Sequence, residues 1–201
     1  MPKIRGAAGA VAVVALLASC QAAGQDAVPQ QPVGGAPAVR QGAAQPPLRP
    51  VHDPGEVTGT LTGPCQFRDG GQLPDPRCTP GSYDPAVTQA NIGATICRAG
   101  YTKTVRPPES QTGRFKFGEA YPAYGVPDGT RSELDHLVSL ELGGSNDASN
   151  LWPERPPSPN PKDEVERALN RAVCDGQVTL AAAQQAIAAD WMTAEARLGI
   201  G

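Results

Sequence analysis

The sequence predicts an α+β domain, and three observations carry that expectation. Leu134, His136, Val138, Leu140 and Leu142 alternate with Asp135, Leu137, Ser139 and Glu141, mostly the period-two pattern of a strand or tight hairpin. After the GGSND turn, Asn150-Leu151-Trp152 resumes extended character, and a capped helix opens at Asn160-Pro161, so the order is β, β, α. Four cysteines lie in the same region, an even number that in an exported chain points to two disulfides.

The chain falls into three parts. In residues 1–20, Lys3 and Arg5 precede the apolar stretch GAAGAVAVVALLA and then LASC, Leu17 to Cys20. A charged start, a short apolar core and small residues describe a signal peptide, too short for a permanent span. LASC resembles a bacterial lipobox, which implies cleavage before Cys20, acylation of that residue and anchoring to the outer face of a bacterial envelope membrane. Residues 21–58, rich in Pro, Ala, Gln and Gly and without apolar periodicity, read as a disordered tether in which His52 has no task. Residues 59–201 remain as one domain with a single modest core.

Within that domain the expected elements follow in order. Cys65 and Cys78 bracket a polar Gly/Pro-rich loop. Asp84-Pro85 is a helix start, with Val87, Ala90, Ala94 and Cys97 at helical spacing and Gly100 at the end. From Pro161, the stripe Val165, Ala168, Leu169, Ala172 and Val173 predicts a helix stopped by Asp175-Gly176. Thr179 caps a third helix with Leu180, Ala183, Ile187 and Trp191 on one face. Three cysteine pairings are open; since Cys97 and Cys174 each end an expected helix, the positions favour Cys65–Cys78 and Cys97–Cys174. The absence of any Cys-x-x-Cys pair argues against a zinc knuckle.

Charge narrows the functional classes. From residue 59 onward 13 basic residues face 17 acidic ones, a net of −4, so no broad basic surface advertises nucleic-acid binding. Locally the balance reverses: Arg98, Lys103, Arg106, Arg114 and Lys116 are accompanied by Glu109 alone. Phosphodiester hydrolysis needs a cation to offset phosphate charge, a base near neutral pKa, and a group that holds the base. His136 is the only histidine of the domain; Asp135 and Asn160 offer oxygen ligands, Asp163 a substitute ligand, and Asn150 a hold on the imidazole.

The stretches ELDHLVSLELGG, NLWPE and NPKDEVE resemble the ββα-metal core of HNH nucleases over about residues 131–174. That resemblance implies His136 as general base, Asn150 as its orienting residue, and Asp135 and Asn160 as ligands of a divalent ion. Two firm ligands with waters favour Mg²⁺, with Mn²⁺ or Zn²⁺ as alternatives. It also implies weak, sequence-independent binding of DNA, or of RNA, with Lys103, Arg106, Arg114 and Lys116 on phosphates. The competing expectations are a non-catalytic binding lipoprotein that keeps the fold as a scaffold, and a hydrolase of some other phosphodiester.

Overall fold

The computed structural model describes residues 45–200. The expected signal peptide, Cys20 and the first part of the tether lie outside the described residues. No helix among the described residues is long and apolar enough to cross a membrane.

Helix and strand are mixed, as expected, and both disulfides join the expected partners, Cys65–Cys78 and Cys97–Cys174. The folded region starts earlier than the composition suggests. Strand β1 (Arg49–Pro50) pairs in parallel with β2 (Ser82–Tyr83), Asp53 is buried, and Val57 N donates to Gln111 Oε1. The tether expected to run to residue 58 therefore does not hold for residues 45–58. Proline and glycine hide this, because the segment is held by specific polar contacts rather than by an apolar stripe. Nor is His52 idle: its Nδ1 is 2.7 Å from Asp84 Oδ1.

The first expected helix is largely absent. Asp84 Oδ1 accepts from Ala86 N, turning the chain, and only Gln89–Ala94 forms a 3-10 segment. Asn91 Oδ1 accepts from Thr88 N, and Thr95 Oγ1 bonds back to Asn91 O, so side chains compete for the groups a longer helix would use. Helix α1 (Tyr101–Val105) begins only after Gly100, whose φ of 83° suits glycine.

A helical run that the sequence pattern did not show follows. It comprises α2 (Glu109–Phe115), a π-helical turn (Lys116–Ala120) and α3 (Tyr121–Tyr124). Gly113, Gly118 and Pro122 mask it in the sequence, yet Phe115, Ala120, Tyr121, Ala123 and Tyr124 are all buried. Tertiary packing outweighs weak local propensity here.

Strand β3 (Glu133–His136) and strand β4 (Leu151–Glu154) pair antiparallel in regular register, Asp135 opposite Trp152 and His136 opposite Leu151. The expected alternation to Leu142 thus gives a strand only to His136. The chain then forms a 3-10 turn (Leu140–Leu142) and folds back through Gly143 and Gly144. A Cβ at Gly144 would stand 1.7 Å from Val138 O, so glycine is obligatory in this close approach.

Helix α4 (Pro161–Cys174) starts and stops as expected. Asn160 Oδ1 accepts from Lys162 N and Asp163 N, while Asp163 Oδ2 accepts from Asn160 N, a reciprocal cap with proline at the first helical position. Helix α5 (Leu180–Asp190), capped by Thr179 Oγ1, and helix α6 (Ala194–Leu198) follow. Leu169, Val173, Ile187 and Trp191 join Leu137, Val138, Leu151 and Trp152 in one core.

Candidate active site

The site is built on β3, where Asp135 and His136 occupy neighbouring positions. In a regular strand, neighbours point to opposite faces. Asp135 turns toward α4 and His136 toward the loop that follows the Gly-Gly turn.

His136 is 6% exposed, and its Nε2 lies 2.9 Å from Asn146 Oδ1. The orientation of the Asn146 amide is determined by its other contacts. Asn146 Nδ2 donates to Asp53 O (2.9 Å) and Val105 O (3.0 Å), and two carbonyls can only accept. Oδ1 therefore faces the ring as an acceptor, Nε2 carries the proton, and Nδ1 holds the free lone pair. Nδ1 makes no hydrogen bond among the described residues. Burial, the largest influence, pushes the imidazole pKa down to about 4; Arg106 and Lys162 lower it further, while Asp135 and the Asn146 bond oppose them. The ring is neutral at pH 7.

His136 borders a cleft of about 450 Å³ whose walls include the cations Arg106 and Lys116, the carboxylates Glu109 and Glu133, and Phe117. Two of the four expected phosphate contacts thus lie beside the imidazole. Arg106 is exposed in the segment between α1 and α2. Lys116 belongs to the π-helical turn, donates to Ser132 O, and lies near the rings of Phe117 and Tyr121. The other two lie elsewhere: Lys103 is exposed on α1, and Arg114 borders a separate depression with Val57, Gln111 and Glu119.

Asn150 is fully buried but does not reach the imidazole. Its Oδ1 accepts from Val138 N (2.9 Å) and Ser82 N (3.3 Å), and its Nδ2 donates to Ser145 O (2.8 Å) and Val138 O (2.9 Å). It closes the loop between β3 and β4; the hold on the ring expected of Asn150 belongs to Asn146. Sequence reading missed Asn146 because in GGSND an asparagine reads as turn chemistry.

On the other face of β3, the expected metal ligands do not converge. Asp135 Oδ2 accepts from Lys162 Nζ at 2.6 Å. Lys162 is 1% exposed and its ammonium also donates to His136 O (2.9 Å) and to Glu166. The Asn160 oxygen is committed to the N-terminus of α4, and its Nδ2 faces Glu133 and Glu154. Asp163 faces Ser158 Oγ and Asn160 N. Among the described residues no group of three His, Cys, Asp or Glu side chains is placed to hold a metal ion. As arranged here, Asp135, Asn160 and Asp163 do not fit a divalent cation, because the Asn160 oxygen caps α4, the Asp163 carboxylate is bonded to Ser158 and Asn160, and the Lys162 ammonium already balances the charge of Asp135.

Burial raises the pKa values of Glu154 and Glu166, and nearby Asp135 adds to the effect. Glu133 is raised for the same two reasons. Burial works against the Lys162 charge, but Asp135, Glu166 and Glu154 outweigh it and hold its pKa above the ordinary value. This side of the strand is a buried, largely neutralised acid–base cluster, in which sequence reading had identified only Asp135.

No protein-family model matches the chain, and neither a curated protein nor a solved structure matches it.

Proposed function

We propose that this is an HNH-like phosphodiesterase, an endonuclease acting on extracytoplasmic DNA or RNA, with His136 as its general base. The observation that carries the reading is one cleft in which a neutral, fixed imidazole lies with two cationic side chains, Arg106 and Lys116, although Glu109 and Glu133 also border it. The cations draw the phosphate in. Water attacks phosphorus while the lone pair of His136 takes its proton, and the P–O bond to the leaving sugar oxygen breaks. A pKa near 4 makes a weak base, but a phosphodiester in the cleft places negative charge beside the ring and raises that value. The resemblance also implies a divalent ion, Mg²⁺ first, with Mn²⁺ and Zn²⁺ as alternatives. Such an ion would share Asp135 with the Lys162 ammonium or displace it.

Plasmid nicking by the full oxidised chain, with each metal and with EDTA, tests the reading. Cleavage that disappears in His136→Ala supports it; wild-type cleavage by a folded His136→Ala protein sinks it. A non-catalytic envelope lipoprotein is the alternative, and the ammonium on Asp135 favours it. DNA retained without cleavage under every metal would select that alternative. For location, we propose export and lipid anchoring through Cys20: Cys20→Ser should move the protein from the detergent phase to the aqueous phase.

A further inference from the structure

The brace on His136 does not come from the ββα region alone. Asn146 is fixed by the segment that composition assigns to the tether. Asp53 Oδ1 accepts from Asn146 N (2.8 Å), and Asp53 O accepts from Asn146 Nδ2 (2.9 Å). Asp53 Oδ2 accepts from Thr58 Oγ1 (2.8 Å), and Ala148 N donates to Thr58 O (2.8 Å), so the segment grips the loop at Asn146 and again at Ala148. Asp53 and Asn146 are both buried, 5% and 1% exposed. A third support, Val105 O, comes from the end of α1, next to the cleft residue Arg106.

We infer that Asp53 and Asn146 are positioning residues that select the Nε2–H tautomer of His136, leaving Nδ1 as the proton-accepting nitrogen. The inference rests on the reading of His136 as base but concerns a property of the ring itself. Neither residue touches the substrate. Without Asn146 Oδ1, Nε2 loses its acceptor and the ring can exchange tautomers or rotate. Without the Asp53 carboxylate, the Asn146 backbone N–H loses its acceptor and the backbone that carries the amide is held less firmly, while Asp53 O and Val105 O still accept from Nδ2. A wrong tautomer presents a proton where the reaction needs a lone pair.

The experiment uses the full chain and nitrogen-15 NMR of the imidazoles, with His52→Gln and His136→Gln spectra to assign the two rings. Wild type should show His136 as a single Nε2–H tautomer at neutral pH. Asn146→Ala should show a tautomer mixture, with kcat lower by about 10–100-fold and KM within about twofold, because Arg106 and Lys116 remain. Asp53→Ala should move both readouts in the same direction by less, and Asp53→Asn, which keeps one acceptor oxygen, should restore most of the effect. If Asn146→Ala fails to fold, the Asp53 pair decides the question. A retained single Nε2–H tautomer in Asn146→Ala, or Asp53→Asn no better than Asp53→Ala, overturns the inference. Full activity in His136→Ala would instead remove the catalytic reading, while the spectra still judge the brace.

Discussion

Asp135 and His136 are neighbours in one strand, yet their surroundings solve opposite problems. The imidazole stays neutral because burial and nearby cations disfavour its charge, and it borders an open cleft. The carboxylate is paired with a buried ammonium that also serves Glu166 and the His136 carbonyl. One face is kept available for a visitor; the other is closed on itself. Two residues adjacent in a motif need not therefore act together, since a regular strand separates them by default.

The largest expected effect separates the faces by function. His136→Ala should lower cleavage by about 10²–10⁴-fold, the usual worth of a positioned base, while thermal melting still shows a folded domain. Lys162→Met should do the reverse. It strands several buried carboxylates, so stability at neutral pH should drop by about 3–5 kcal/mol, read from urea denaturation. A Lys162→Met protein as stable as wild type would show that the acid face is not held by that ammonium.

pH distinguishes the faces by sign. The His136 pKa is depressed, so its contribution is complete above the ordinary value of 6.5 and is lost as pH falls toward about 4. That loss amounts to at most about 3 kcal/mol, and His136→Gln should flatten it. Glu154 is raised by burial, so its contribution is complete below the ordinary carboxylate range and is lost as pH rises through its elevated value. Glu154→Gln should remove the alkaline part of the slope and leave the acidic part, as measured by melting temperature against pH.

The smallest effect sharpens the boundary of the cleft. Arg106→Ala should weaken DNA binding and reduce the slope of log affinity against log salt by about one. Lys103→Ala, outside the cleft, should leave the slope attributable to this site unchanged. Equal effects from both would mean that the whole basic run binds phosphate and that the cleft has no special part.

What the sequence revealed and what it concealed follow from the range of the interactions. Helices α4 and α5 were legible because caps and stripes are local: Asn160, Pro161 and Thr179 mark starts, and Gly176 marks a stop. The cysteine pairing came out as expected although only Cys174 ends a helix; the helix expected to end at Cys97 is reduced to a 3-10 segment that stops at Ala94. Helices α2 and α3 were hidden because their glycines and proline oppose a helix that only burial of Phe115 and Tyr121 supports. In the site, His136, Arg106 and Lys116 could be named from the sequence. Asn146 and Asp53 could not, since they are 93 positions apart and no spacing rule joins them. Nothing in the sequence marks Lys162, in the first turn of α4, as buried, and only the fold turns it inward.

The same separation of 93 positions orders events in time. Asp53 leaves the ribosome long before Asn146, and joining them closes a large loop whose entropy must be offset by contacts formed elsewhere first. A nascent or partly folded chain therefore carries an unbraced imidazole. On the proposed reading, any hydrolytic power would emerge only once the segment around Asp53 has docked on Asn146, so that completion of folding would time its onset.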